Sequence, residues 1–393
     1  MRAGVTLSLL LVVIVWPAHA EPPLVERFLH SGKLAEGERA LERALELDPD
    51  QDQLRFGLGM VRFVRAVERL GQSFYEHGVK SESTNLPFLR IPVPVNPDPT
   101  PISHPQLRRI LMQFGDDLAK AEATLAGIKD REVRLPLRLA AIRLDLRGDG
   151  QSNETLLAVL KRLMRVDSFP FLKSNPEFLV VFDRGDVAWL RAYCHMLSAI
   201  ADLYLAFDTK PIFDHHAQAH FASPKGQSAD APDLFGMFTG GIRVVEPRRL
   251  HTCRLHLVQL CELNHETWRY IRAEKDNDFE WLPSPKQTGV FGLPITDQMI
   301  DGWLAGMSEI EGLLKGEKIL VLPPGTSEYG VNLRTFFDHP PENLVLMKVM
   351  QNDIDPRFLV RLTPANRCEG QALNQMMTLF DGPLSFAYMA WFN

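Results

Sequence analysis

The sequence predicts a mainly α-helical protein with a small C-terminal α+β portion. Apolar residues return at steps of three and four through the segments 51–78, 107–128, 186–207 and 247–274, as they do on the buried face of a helix. Short apolar runs typical of strands occur near the C-terminus, at 318–324, 342–350 and 357–363. A hydrophobic content of 45% is ample for a sizeable core.

The first twenty residues, MRAGVTLSLLLVVIVWPAHA, have the three parts of a secretory signal peptide. Arg2 is followed by an apolar stretch from Val5 to Trp16 and by a small-x-small cleavage site ending at Ala20. The apolar stretch is shorter than the roughly 20 residues that span a bilayer. We therefore expect an exported protein, periplasmic or extracellular after cleavage near Ala20, with no integral membrane span.

Composition divides the chain into five parts. After the signal peptide at 1–20 we expect a helical region at 21–80, a Pro-rich strap at 81–106, a helical body at 107–280 and an α+β region at 281–393. Seven prolines between residues 87 and 105 exclude a helix and favour extended chain. Apolar residues among them predict that the strap packs along the helical body. The apolar C-terminus SFAYMAWFN is expected to dock into the core.

Residues 21–50 predict two short helices, one ending at His30 and the other running from Leu34 to Leu47. The alternation of small and large side chains in this segment resembles a single tetratricopeptide-type helical hairpin, on Leu24, Phe28, Gly37, Leu41 and Ala44. Glu21 stands where that family has its characteristic Trp, and no second copy follows at a 34-residue spacing. The resemblance implies a helical packing surface and a peptide or protein partner.

The segment 186–207 predicts an apolar helix with one polar ridge, formed by Arg191, His195, Ser198 and Asp202 at steps of four, three and four. One interpretation is a central helix whose ridge meets water or forms a satisfied buried network. The other is a cleft in which Arg191, His195 and Asp202 are catalytic and His195 is the acid or base. Asp202 lies almost two turns from His195, so it does not orient that imidazole directly.

A second histidine-rich stretch, DHHAQAH, places His216 and His220 four residues apart on one helical face, a geometry that suits zinc. Ala217 stands where the HExxH signature has its Glu, so no general base is supplied. A third ligand would have to come from a distant residue, such as His251, His256 or His265. A metal-assisted hydrolase at this pair and an incidental histidine cluster are the two interpretations.

The stretch DLRGDGQSNETL (145–156) partly matches a calcium-binding loop through Asp145, Asp149 and Asn153. Position 3 of that loop is Arg147, and position 12, where the bidentate Glu belongs, is Leu156. We therefore favour a plain turn that joins a helix over 134–146 to the next helix. In that interpretation Gly148 and Gly150 end the first helix and Asn153 caps the second.

Four cysteines follow the signal peptide: Cys194, Cys253, Cys261 and Cys368. Cys253 and Cys261 are eight residues apart in a predicted helix, about 12 Å, too far for a disulfide. Any disulfide would therefore be long-range, and its pairing stays open.

Two further observations bear on function. The formal net charge of −6, with no basic block, argues against a nucleic-acid partner. No nucleotide-binding or nucleophile-elbow motif occurs, and no cofactor is predicted beyond the zinc and calcium alternatives. The sequence favours an exported, non-catalytic binding or scaffolding protein. The alternative is a hydrolase-like, metal-assisted enzyme that uses His195 or the His216/His220 pair.

Overall fold

The computed structural model describes residues 22–81, 91, 93–164, 166–226, 236, 239–322, 328–368, 370–379 and 391–393, so the predicted signal peptide lies outside the described residues. Within them the protein is mainly helical, as predicted. The helices are α1 Leu24–Ser31, α2 Leu34–Leu47, α3 Asp52–Glu76, α4 His104–Ala126, α5 Leu156–Met164, α6 Arg184–Ala206, α7 Lys210–His220, α8 Pro247–Ala273, α9 Asp297–Lys315, α10 Leu333–Asp338, α11 Leu346–Met350 and α12 Gln371–Thr378.

Short strands between the helices form two-stranded antiparallel sheets. The strands are β1 Leu135–Arg138, β2 Arg143–Leu144, β3 Glu154–Thr155, β4 Leu179–Phe182, β5 Ile242–Arg243, β6 Tyr329–Val331, β7 Asn343–Leu344 and β8 Leu359–Arg361. The pairs are β1 with β4, β2 with β3, β5 with β7 and β6 with β8. These sheets are small and connect helices, which agrees with the predicted mainly α class.

The longer helices pack side by side in chain order, α2 on α3, α3 on α4, α4 on α6, α6 on α8, α8 on α9 and α9 on α12. The interface between α6 and α8 is the most extensive of these. These two helices are antiparallel, because Gly185 near the start of α6 faces Ile271 near the end of α8, while Asp202 pairs with Arg249. Among the described helices, none has both the length and the apolar composition needed to cross a membrane.

The N-terminal hairpin has the predicted helix boundaries to within one residue. Gly37 lies against Phe28, and a Cβ atom added at Gly37 would stand 2.7 Å from the Phe28 Cβ. Only a residue without a side chain allows α1 and α2 to approach this closely. Leu41 on the same face of α2 is fully buried. The two helices therefore pack as a unit against α3.

The described part of the strap is extended and packed, as predicted. Ile91 and Val93 are buried, and the backbone N–H of Thr100 donates to the Glu76 carbonyl at 2.9 Å. The strap therefore lies against the C-terminal end of α3. It ends earlier than predicted, because Pro105 falls in the first turn of α4, where its missing N–H costs no helical hydrogen bond. Residues 82–90 and 92 lie outside the described range.

The helix predicted over 134–146 is wrong. This segment forms β1, a 3-10 turn at Leu139–Ala141 and β2. Leu135 and Leu137 are buried on one side of β1, where they stand opposite Phe182 and Val180 of β4. The apolar residues therefore follow a period of two rather than of 3.6. Pairing with a strand some forty residues later supplies hydrogen bonds that local periodicity does not reveal.

Of the three strands predicted near the C-terminus, only the one in 357–363 forms as expected, as β8. The run 342–350 forms the two-residue β7 followed by α11. In the run 318–324, Ile319 and Leu320 make only single bridges, to Arg367 and Val331, and residues 323–324 lie outside the described range. The α+β character of this region is confirmed, although with less strand than the sequence predicts.

The last three residues dock into the core, as predicted for the C-terminus. Phe392 is fully buried, with its ring 4.5 Å from that of Trp268. The indole N–H of Trp189 donates to the Trp391 carbonyl at 2.9 Å, and the indole N–H of Trp391 donates to the Trp281 carbonyl at 3.2 Å. These contacts join the end of the chain to α6 and α8. Residues 385–390 of the predicted docking segment lie outside the described range.

All four cysteines are free thiols, and all four are buried. Burial raises the pKa of Cys253 and of Cys261 to about 12, and it also raises the pKa of Cys194. The thiols therefore remain protonated and enclosed by packed side chains.

The close approach in the hairpin yields a stability prediction. Gly37→Ala places a methyl group against Phe28, and we expect it to lower the free energy of unfolding by about 1–3 kcal/mol. The matched control is Gly115→Ala in α4, where an added Cβ meets nothing within 4 Å. That variant should be neutral or should stabilise by up to about 1 kcal/mol, because alanine favours the helix. Urea midpoints followed by circular dichroism measure both, and equal midpoints would contradict the packing described for α1 and α2.

Candidate functional site

The polar ridge of α6 faces the groove between α4 and α8. Small side chains on both sides of α6 let these helices come close. Cys194 packs with Ala121 of α4, and Ala188 and Ala192 pack with Leu263 of α8. Because the apolar contacts occupy the two flanks, the ridge between them meets polar residues from both neighbouring helices.

At the first turns of the ridge, Arg191 and His195 share a carboxylate from α4. The guanidinium of Arg191 donates to Glu122 Oε1 at 2.9 Å, and His195 Nε2 lies 3.6 Å from the same oxygen. Burial alone would raise the pKa of Glu122, but the contacts with His195 and Arg191 outweigh it and lower that pKa. Glu122 is therefore ionised and is the anionic centre of this end of the ridge.

The middle of the ridge is a pair of imidazoles. His195 Nδ1 and His256 Nδ1, from α6 and α8, are 2.8 Å apart. One of these nitrogens must carry a hydrogen while the other accepts it. Burial lowers the pKa of His256, and a charge on His195 would lower it further, against the opposing effect of Asp202 and Glu122. One hydrogen therefore lies between the two Nδ1 atoms and links α6 to α8.

The far end of the ridge is an ion pair. The guanidinium of Arg249 on α8 donates to Asp202 Oδ1 at 2.7 Å. Asp202 Oδ2 also lies 3.9 Å from His256 Nε2. Asp202 thus contacts the second imidazole rather than His195, as the helical spacing requires. The predicted residues Arg191, His195 and Asp202 meet in one network through Glu122, His256 and Arg249, which join α4, α6 and α8; we refer to these six as the ridge network.

The second predicted pair, His216 and His220, lies on α7. His216 Nε2 and His220 Nδ1 are enclosed from solvent, and neither has a hydrogen-bond partner among the described residues. Burial lowers the pKa of His220, and the charge of His216 lowers it further. These two imidazoles therefore affect each other electrostatically.

The distant histidines suggested as a third ligand all have other contacts. His256 bonds to His195, His251 Nδ1 lies 2.8 Å from Asp338, and His265 Nε2 lies 3.2 Å from the Ser308 hydroxyl. Within the described parts of the chain, no group of three metal-ligating side chains includes His216 or His220.

The stretch 145–156 is a turn, but it joins β2 to β3 rather than two helices. The Asp145 carboxylate accepts the backbone N–H groups of Arg147, Gly148 and Gly150 at 3.2, 2.8 and 2.9 Å. Gly148 and Gly150 have φ angles of 74° and 79°, which the turn requires. The predicted roles of these glycines in ending a helix and of Asn153 in capping one are therefore wrong.

The other candidate ligands of the calcium alternative also take part in hydrogen bonds within the loop. The Asp149 carboxylate accepts the N–H of Gln151 at 2.8 Å, and Asn153 takes part through its backbone N–H, which donates to the Gln151 carbonyl. The carboxylate oxygens of this loop thus bind its own amides, an arrangement that stabilises a turn.

The sequence did not reveal a cluster of carboxyl groups where the start of α6 meets the end of α8. Asp183, Glu274 and Glu280 each have an oxygen atom within 4.8 Å of the others. Asp183 caps α6 by accepting the N–H of Gly185 at 2.7 Å, and Glu274 directly follows α8. The members come from the ends of two antiparallel helices and a loop. The only local signal was the capping pair Asp183 and Asp186.

This carboxyl cluster holds protons. Burial raises the pKa of Glu274, and the nearby charge of Asp183 raises it further. Burial also raises the pKa of Asp183, Asp186 and Glu280. The proton on Glu274 reduces the repulsion between its carboxyl group and that of Asp183, which has an oxygen within 4.8 Å.

Comparisons of this chain with protein families, curated proteins and solved structures were also made. No protein-family model matches the sequence, and no curated protein or solved structure matches the chain.

The carboxyl cluster predicts how stability depends on pH. The folded state keeps a proton on Glu274 at pH values above 4.5, where an unfolded glutamate has released it. Stability therefore falls as the pH rises from about 5 to 8, and Glu274→Gln should reduce this fall by on the order of 1 kcal/mol.

Urea midpoints at pH 5 and pH 8, in a buffer with a chelator, measure the effect. The exposed Glu317 provides the control, and Glu317→Gln should retain the pH dependence of the unmodified protein. A Glu274→Gln variant with the same pH dependence as the unmodified protein would show that Glu274 is ionised in the folded state.

Proposed function

We propose that this protein is an exported, non-catalytic helical protein that acts as a binding or scaffolding module. The observation that supports this proposal most is the internal pairing of the ridge network. Arg191 is bonded to Glu122, Asp202 to Arg249, and His195 to His256. Side chains engaged in this way hold three helices together and are not free to act on a substrate.

The arrangement of the helices supports a binding role. The longer helices α2, α3, α4, α6, α8, α9 and α12 each pack on the next of that series. Proteins built from stacked helix pairs present extended surfaces and use them to bind other proteins or peptides. The tetratricopeptide-like pattern of α1 and α2 is consistent with a partner of this kind. Export is proposed from the signal peptide at residues 1–20.

A hydrolase-like enzyme is the second candidate, because one specific observation favours it. The Glu122 carboxylate lies 3.6 Å from His195 Nε2, His195 is hydrogen-bonded to His256, and the two imidazoles retain side-chain exposures of 14% and 24%. A carboxylate that orients one imidazole next to another is an arrangement suited to proton transfer. In this alternative His195 would be the general base.

The structural role of the ridge network can be tested directly. Glu122→Ala leaves the half-buried guanidinium of Arg191 without its anion, and we expect it to cost about 1–3 kcal/mol of stability. The matched control is Glu262→Ala, which breaks a more exposed ion pair with Lys315 at 2.9 Å. That variant should cost less than about 1 kcal/mol. Equal costs in urea denaturation would contradict a structural role for the network.

The function itself is tested on the tag-free mature chain, residues 21–393. We expect selection from a displayed random peptide library to enrich a shared motif, and a panel of ester, phosphoester, glycoside and peptide substrates to remain unhydrolysed. Failure of the library to enrich any sequence would count against peptide binding.

Turnover would decide for the catalytic alternative if it met two conditions. It should be lost in a folded His195→Gln variant and retained in His251→Gln, whose imidazole is exposed and pairs with Asp338 outside the ridge network.

A further inference from the structure

We propose that His216 and His220 form the core of a binding site for a divalent transition-metal ion of the copper and zinc class. This site is separate from the ridge network and does not depend on the proposed binding function. Three features of α7 support this site. They are the spacing of the two histidines, the burial of a ring nitrogen of each without a hydrogen-bond partner among the described residues, and the fixed position of the helix.

The spacing brings the two imidazoles together. Residues four apart in a helix lie on one face, with Cβ atoms about 5–6 Å apart. His216 and His220 have this spacing in α7. Two imidazoles on one helical face can bind a single metal ion.

The ring nitrogens lack partners where partners are expected. His216 Nε2 and His220 Nδ1 are enclosed, and neither makes a hydrogen bond within the described residues. Enclosed polar atoms in folded proteins nearly always bind another group. A metal ion would accept the lone pairs of both nitrogens, which only neutral imidazoles offer.

The helix that carries the pair is held in place. Phe213 and Ala217 on α7 and Phe221 after it are buried, and the His220 carbonyl accepts the backbone N–H of Lys80 at 2.8 Å. These contacts fix the end of α7 against the segment that follows α3. The two imidazoles are therefore presented by a rigid element, which lowers the entropy lost when an ion binds.

The donor set indicates the class of ion. Imidazole nitrogen suits copper, zinc and nickel rather than calcium or magnesium, and affinity at such sites is highest for Cu²⁺. With two protein ligands, water completes the coordination. Asp214 is a poor third ligand because its carboxylate is paired with Lys210.

The test uses the tag-free mature chain after chelation, titrated with Cu²⁺ and separately with Zn²⁺ by calorimetry. We expect one ion per chain with tighter binding of Cu²⁺, and a copper resonance spectrum that shows nitrogen ligands. His216→Ala and His220→Ala should each weaken binding at least about tenfold, the scale on which loss of part of a metal site lowers affinity.

The control is His251→Ala, which removes an exposed imidazole on α8 that pairs with Asp338. It should leave the affinity unchanged. Binding that is unaffected by His216→Ala and His220→Ala, or reduced equally by His251→Ala, would overturn the proposal.

A second measurement does not depend on the folding of any variant. Bound Cu²⁺ should protect His216 and His220 of the unmodified protein from acylation by diethyl pyrocarbonate, as mapped by mass spectrometry, while exposed His215 and His251 remain reactive. Equal modification of all four histidines with and without the ion would also overturn it.

Discussion

The rest of the structure depends on how closely α6 fits between α4 and α8. Alanine and cysteine side chains on both flanks of α6 keep the helix axes near each other. Because the helices are close, the side chains of the α6 ridge are largely buried. Its charged groups are therefore paired with groups of opposite charge. The remaining helices extend outward from this centre, with α3 and α2 beyond α4, and α9 and α12 beyond α8.

The seam between α6 and α8 has two electrostatic regimes. In its middle the imidazole pair of His195 and His256 shares a hydrogen, and at one end Asp202 and Arg249 neutralise each other. At the other end the antiparallel packing brings Asp183 and Glu274 together. The N-terminus of α6 stabilises the charge on Asp183, whereas Glu274 follows the C-terminus of α8, where negative charge is disfavoured. Helix direction therefore assigns the proton of that pair to Glu274.

The sequence predicts features that a single helix determines. The stripe of α3 and the ridge of α6 can be read from spacing alone. The pairing of Leu135 and Leu137 with β4 could not be predicted, because it depends on a strand far along the chain. The same limit applies to the ridge network. Arg249 resembles a solvated charge in its own helix, and only the packing of α8 against α6 gives it Asp202 as a partner.

The four enclosed thiols impose an order of events on folding. While the chain is open its cysteines can be oxidised, and a bond between Cys253 and Cys261 would prevent that segment from becoming helical, because the native helix holds them too far apart. Folding encloses all four thiols, with Cys194 at the contact of α6 with α4 and Cys253 and Cys261 buried on α8. In an oxidising compartment, folding and disulfide chemistry therefore compete. The yield of native protein depends on how fast the helices associate, as well as on how stable the finished fold is.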